Sequence, residues 1–174
     1  MMQQELFRHP EWRAFNRGTI SEDKLLTGLA ARTSRQLKDC AGLLSAIRRS
    51  LVAKEETVAV LRRLHARAIP LYCLSDMPAP IFEFVRARYD FFDVFQGIVV
   101  SGQVKLMKPE REVFLHLLER FGLNAGETVF IDDHLPNIEG ARNVGLHTIH
   151  FSDANACERA ILDGLQPEAG SVTR

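Results

Sequence analysis

The residues of this chain that could do chemistry fall at the ends of short apolar runs. Ile69–Leu74 is followed by Ser75 and Asp76, Phe95–Val100 by Ser101, Gly102 and then Lys108-Pro109, and Thr128–Ile131 by the pair Asp132-Asp133. In open parallel sheets, ligands bind just beyond the carboxyl ends of the strands, so a hydroxyl, an ammonium and two carboxylates would converge on one edge. Adjacent carboxylates repel each other and resist burial unless a cation or hydrogen-bond donors compensate, which makes a hard ion such as Mg²⁺ a natural partner. Each residue also has a plainer reading. Asp133 could cap a helix beginning near Pro136, Lys108 could be a solvated lysine at a helix start, and Ser75 could simply end a strand. Asn137, four residues after Asp133, could hydrogen-bond within the same loop or helix start. The order of these residues carries more weight than any one of them.

Strands must position these groups. Four apolar runs, the three above and His147–Phe151, alternate with helical patterns in the βαβαβ rhythm of a parallel sheet. Each is apolar on consecutive residues, as a strand covered on both faces should be. Between the second and third, Pro109 can open a helix whose Val113, Phe114, Leu117, Leu118 and Phe121 share one face, with Gly122 placed to stop it. Pro136–Val144 followed by Gly145 repeats the pattern, and Val58, Leu61 and Leu64 mark a helix before the first strand. Residues 5–50 are helical patterns without a strand-like run, broken at Arg17 and Gly18, where Thr19 and Glu22 could form a capping box.

Composition bounds the classes of function. The 174 residues are 46% hydrophobic and 25% charged, as in one ordinary globular domain, and eleven Phe, two Tyr and one Trp can fill a core. Main-state disorder is excluded. The formal net charge is zero, but residues 1–67 hold 13 Lys and Arg against 7 Asp and Glu, and residues 68–174 hold 9 against 15, so the halves carry +6 and −6. The arginine doublets at 48–49 and 62–63 lie in helical patterns whose default is a solvated face, so no nucleic-acid partner is expected. No apolar run reaches the roughly 18 residues of a membrane span, and Met1–Trp12 lacks the order of a signal peptide, so the expectation is a soluble cytoplasmic protein without a membrane partner. Cys40, Cys73 and Cys157 are too few and too scattered for a disulfide framework or a zinc knuckle, and read as buried thiols.

The ordered motifs resemble those of the haloacid dehalogenase (HAD) superfamily of hydrolases. Leu71–Met77 (LYCLSDM) is similar to the family's second motif, Ser101–Pro109 (SGQVKLMKP) to its third, and Val129–Gly145 (VFIDDHLPNIEGARNVG) to its fourth. The resemblance implies an α/β, doubly wound, Rossmann-like parallel sheet. A small helical cap would occupy 1–52, the core 53–165, and a flexible tail 166–174. It further implies that Ser75 and Lys108 are catalytic. Ser75, Asp76, Lys108 and Asn137 would face the phosphate, and Asp133 would ligate Mg²⁺ directly, with Asp132 as an alternate ligand. The substrate would be a small phosphorylated metabolite; halide release is the subordinate alternative.

The sequence departs from that family in one large respect. Its members begin with a strand ending in DxDx(T/V), whose first Asp is the nucleophile, and no two aspartates here are separated by a single residue. That strand would lie centrally, between the runs at 69–74 and 128–131. Its absence should leave two inner edges unpaired and open to self-association. These features lead us to expect that residue 1 is not the natural start. They also favour, as the alternative to a phosphatase, an inactive remnant that acts by binding. Asp76 stands where Asn is commoner, and would add a third negative charge if it faced the phosphate. A phosphoacceptor receiver domain is a remote alternative, because receivers place their acidic pair first.

Overall fold

The computed structural model describes residues 9–164, so the tail expected at 166–174 lies outside the described residues. The elements run α1 (Pro10–Asn16), α2 (Glu22–Thr33), α3 (Leu37–Ser50), α4 (Glu55–Ala66), β1 (Tyr72–Ser75), α5 (Ala79–Arg88) and β2 (Gly97–Val100). There follow α6 (Ser101–Val104), α7 (Arg111–Phe121), β3 (Val129–Asp132), α8 (Leu135–Arg142), β4 (His147–His150) and α9 (Ala154–Gly164). Strands and helices alternate from β1 onward and both strand pairs are parallel, which makes this an α/β protein. The described residues form two compact units, one of residues up to Lys54 with Ala68–Met107, the other of Glu55–Arg67 with the chain from Lys108 on.

In the first unit, α1–α3 and α5 share one core. Trp12, Phe15, Leu25, Leu29, Cys40, Leu44 and Ile47 pack with Ile81 and Val85. Burying each such side chain contributes about 1.5–3 kcal/mol, enough for a cluster of this size to fix the helices in place. Arg17 closes α1 and Gly18 takes φ +73°, the break the sequence implies. The capping box expected of Thr19 and Glu22 is not formed. Thr19 instead donates its hydroxyl hydrogen to the Ala14 carbonyl at 3.0 Å, and the extended Ser21 caps α2, accepting from the Lys24 amide at 3.2 Å. Beyond α5, Phe91 stacks on Phe92 at 4.4 Å before β2 begins. This 3-10 turn, Asp90–Val94, delays the strand to Gly97, two residues later than the apolar run suggests.

In the second unit, α7 buries Val113, Phe114, Leu117 and Leu118, and the Phe114 ring meets Phe130 of β3 edge-on at 5.2 Å. Gly122, at φ +62°, ends α7, and the Leu123 amide reaches back to the Leu118 carbonyl at 2.8 Å. The helix starts at Arg111 rather than Pro109, because Glu110 is still extended. Arg63 of α4 holds Glu158 of α9 in a two-pronged ion pair, at 2.8 and 2.6 Å.

β1 pairs with β2 and β3 with β4. The expectation that every strand is covered on both faces fails on β3. Phe130 is buried, yet Val129 and Ile131 are 44% and 36% exposed. Strand side chains alternate between faces, so Phe130 goes to the α7 side while Val129 and Ile131 lie on the opposite face, partly exposed. All three cysteines are free, Cys40 and Cys157 buried and Cys73 half-buried. Among the described residues no helix is long and apolar enough to cross a membrane.

Candidate functional site

β3 ends in Asp132, and its carboxylate is the hub of the second unit. One oxygen accepts from Lys108 Nζ at 2.8 Å; the other accepts from the His134 amide at 2.8 Å and from Asn137 Nδ2 at 3.0 Å. The Asp132 and Lys108 side chains are 8% and 11% exposed, so this ion pair is largely withdrawn from water. Burial alone pushes the Asp132 carboxyl up, but the hydrogen bond and charge of Lys108, with the two neutral donors, outweigh it and hold the group below its ordinary value of 3.8. Asn137, at 8% exposure, therefore acts as a side-chain partner of Asp132 at the start of α8.

Asp133 is different in kind. It is exposed, and among the described residues nothing hydrogen-bonds or ion-pairs with its carboxylate. The helix-cap reading of Asp133 does not hold, because His134 occupies the N-cap of α8 and takes no side-chain cap bond. Its backbone carbonyl lies 3.1 Å from His150 Nε2, on the residue paired with Asp132 in the β3–β4 register. Nothing in the local sequence marks His150 as a neighbour of the acidic pair. The register of a strand 17 residues away is what brings it to the acidic pair.

Packing positions Lys108. The Lys108-Pro109 peptide is cis. A side chain at Gly140 of α8 would meet the Pro109 carbonyl oxygen at 2.6 Å and Phe114 at 3.0 Å, so only glycine lets this turn lie against the helix. Gly140→Ala should therefore cost about 1–3 kcal/mol by overpacking and displace Lys108 from Asp132. Urea unfolding would measure the first effect, and an upward shift of the Asp132 carboxyl in NMR titration the second.

Ser75 and Asp76 end β1 in the first unit, both half-buried. Among the described residues the Ser75 hydroxyl has no partner, whereas Asp76 is engaged. Ser101, which the sequence shows only as a polar strand end, is fully buried. Thus Lys108, Asp132 and Asn137 form one cluster with Asp133 beside it, and Ser75 and Asp76 belong to the other unit. No group of three or more His, Cys, Asp or Glu suited to a metal occurs among the described residues.

A family model described as haloacid dehalogenase-like hydrolase matches residues 9–145, a range that includes Ser75, Asp76, Lys108, Asp132, Asp133 and Asn137. The chain belongs to the haloacid dehalogenase-like hydrolase family. It is 29% identical over 145 residues to the sesquiterpene phosphatase astK of Aspergillus oryzae, covering 83% of this chain and 74% of that one. It is 29% identical over 153 residues to the drimenol cyclase drtB of Aspergillus calidoustus, covering 86% of this chain but 29% of that longer protein. Among solved structures, a HAD family enzyme from Bacteroides thetaiotaomicron in complex with magnesium and inorganic phosphate superposes with a TM-score of 0.70 at 22% identity. That match covers 89% of this chain and 86% of the other, and it supports the HAD fold.

Proposed function

We propose that this chain carries the phosphate- and metal-binding residues of a Mg²⁺-dependent HAD-type phosphomonoester hydrolase acting on a small phosphorylated metabolite. The observation that carries the reading is the division of labour in the acidic pair. Asp132 has both oxygens committed to protein donors, while Asp133 offers an exposed, uncommitted carboxylate. Mg²⁺ is commonly held by one or two carboxylates, with water and substrate phosphate oxygens completing its octahedron, and Asp133 fits that demand. When bound, the ion would neutralise charge on the phosphoryl group. Lys108, fixed by Asp132, would add a second positive charge, and the Ser75 hydroxyl would donate to a phosphoryl oxygen. The name of astK, a phosphatase that most of this chain matches, supports an organic phosphate as substrate.

A second reading is favoured by a sequence fact. With no Asp-x-Asp pair the chain supplies no evident carboxylate nucleophile, and a protein with the supporting site alone would bind phosphate without turning it over.

Calorimetric titration of the 174-residue chain with orthophosphate, with and without Mg²⁺, tests the site common to both readings. Binding that requires Mg²⁺ is expected; no binding under either condition overturns both. Phosphate release from a panel that includes a sesquiterpenyl phosphate then separates them. Saturable turnover lost on Asp133→Ala supports the hydrolase, and binding without turnover supports the second reading.

A further inference from the structure

We infer that Ser101 is a positioning residue for the Ser75–Met77 segment, and that through its hydroxyl the turn joining α1 to α2 is built into the phosphate-binding loop. The inference rests on the proposed role of Ser75. Ser101 follows β2 directly and is fully buried. Its Oγ accepts from the Met77 amide at 2.9 Å and donates to the Asn16 carbonyl at 2.7 Å. A hydroxyl has one hydrogen and two lone pairs, so a single atom serves a donor in one segment and an acceptor in another.

The surrounding backbone makes this junction intolerant of movement. Residues 16–18, 77–79 and 101–102 meet with almost no side chains between them. A Cβ on Gly18 would lie 2.2 Å from the Gly102 carbonyl oxygen, and one on Gly102 would lie 2.4 Å from the Ala79 nitrogen and 2.8 Å from the Met77 oxygen. The Gly102 amide donates to that Met77 carbonyl at 3.1 Å. Arg17 Nη1 donates to the Lys105 carbonyl at 3.3 Å, securing the far end of α6 to the same turn. Met77 is thus held through both its amide and its carbonyl by residues 101 and 102, two positions beyond Ser75, whose half-buried hydroxyl has no partner among the described residues. Losing the Ser101 hydroxyl leaves the Met77 amide and the Asn16 carbonyl without this partner in a site that admits no replacement group. The segment bearing Ser75 and the turn bearing Gly18 would loosen together.

The test compares Ser101→Ala with the unsubstituted chain by site-resolved hydrogen exchange and by orthophosphate titration in Mg²⁺. Exchange at the Met77 and Gly18 amides should quicken at least tenfold beyond any change at Ile138 and Ile149 in the other unit. The orthophosphate Kd should rise at least fivefold. Ser101→Cys, which puts a slightly larger and weaker hydrogen-bonding group at the same position, should fall between the two and serves if the Ala variant does not fold. Exchange at Met77 and Gly18 that changes only in step with the reference amides would overturn the inference, as would loosened amides with an unchanged Kd. Failure of the unsubstituted chain to bind orthophosphate would overturn the functional reading and the phosphate role assigned here. The exchange pattern would still decide whether Ser101 couples the two segments, so the two failures are distinguishable.

Discussion

Lys108→Met is expected to cost about 3 kcal/mol of folding stability at neutral pH and to abolish Mg²⁺-dependent orthophosphate binding. The cost comes from what remains behind. Asp132 is 8% exposed, and without the ammonium its charge is opposed by burial and compensated only by the His134 amide and Asn137. The methionine keeps most of the lysine's apolar stem, so the loss measures charge rather than packing. The penalty has a defined pH dependence. In the native chain the Asp132 carboxyl titrates below its ordinary value of 3.8, so its stabilisation is fully present above that value and is lost as the pH falls through the native one. In the variant, burial is opposed only by the two neutral donors and the native carboxyl protonates at higher pH. The stability gap between the two proteins should therefore be widest near neutrality and shrink on acidification, as Asp132 loses its charge. Urea unfolding of both proteins from pH 7 to pH 3 measures this, and a gap independent of pH would contradict the pairing.

The residues in that prediction were legible in the sequence because their chemistry is local to strand ends. Ser75, Lys108, Asp132 and Asp133 each follow an apolar run, and all the strands expected are present. Element boundaries were less legible where side chains compete for backbone groups. Thr19 binds back onto α1 and so leaves the cap of α2 to Ser21. Long-range partnerships were not legible at all. Ser101 bonds a carbonyl 85 residues away, and His150 reaches Asp133 only through the parallel register of β3 and β4. The apolar sequence of β3 signals burial on both faces, and what it could not show is that Val129 and Ile131 stay partly exposed. A hydrophobic pattern records which side chains need cover, whereas the presence of cover depends on elements elsewhere in the chain.

The two aspartates should separate cleanly when each is replaced by asparagine, although they adjoin in sequence and share a charge. Asp133→Asn removes an exposed carboxylate that nothing hydrogen-bonds among the described residues, so stability should stay within about 0.5 kcal/mol of the native chain. The same change should weaken Mg²⁺-dependent orthophosphate binding at least tenfold. Asp132→Asn does the reverse in order of cause. It removes the carboxylate that holds the Lys108 ammonium at 2.8 Å in a site only 11% exposed, and the carboxamide's single acceptor oxygen cannot serve Lys108 together with His134 and Asn137. Stability should then fall by about 2–3 kcal/mol, with phosphate binding lost because Lys108 is no longer held in place. Parallel chemical unfolding and Mg²⁺ titration of both variants read the two effects independently. A strongly destabilised Asp133→Asn, or an Asp132→Asn of native stability, would mean that the roles assigned to the pair are exchanged.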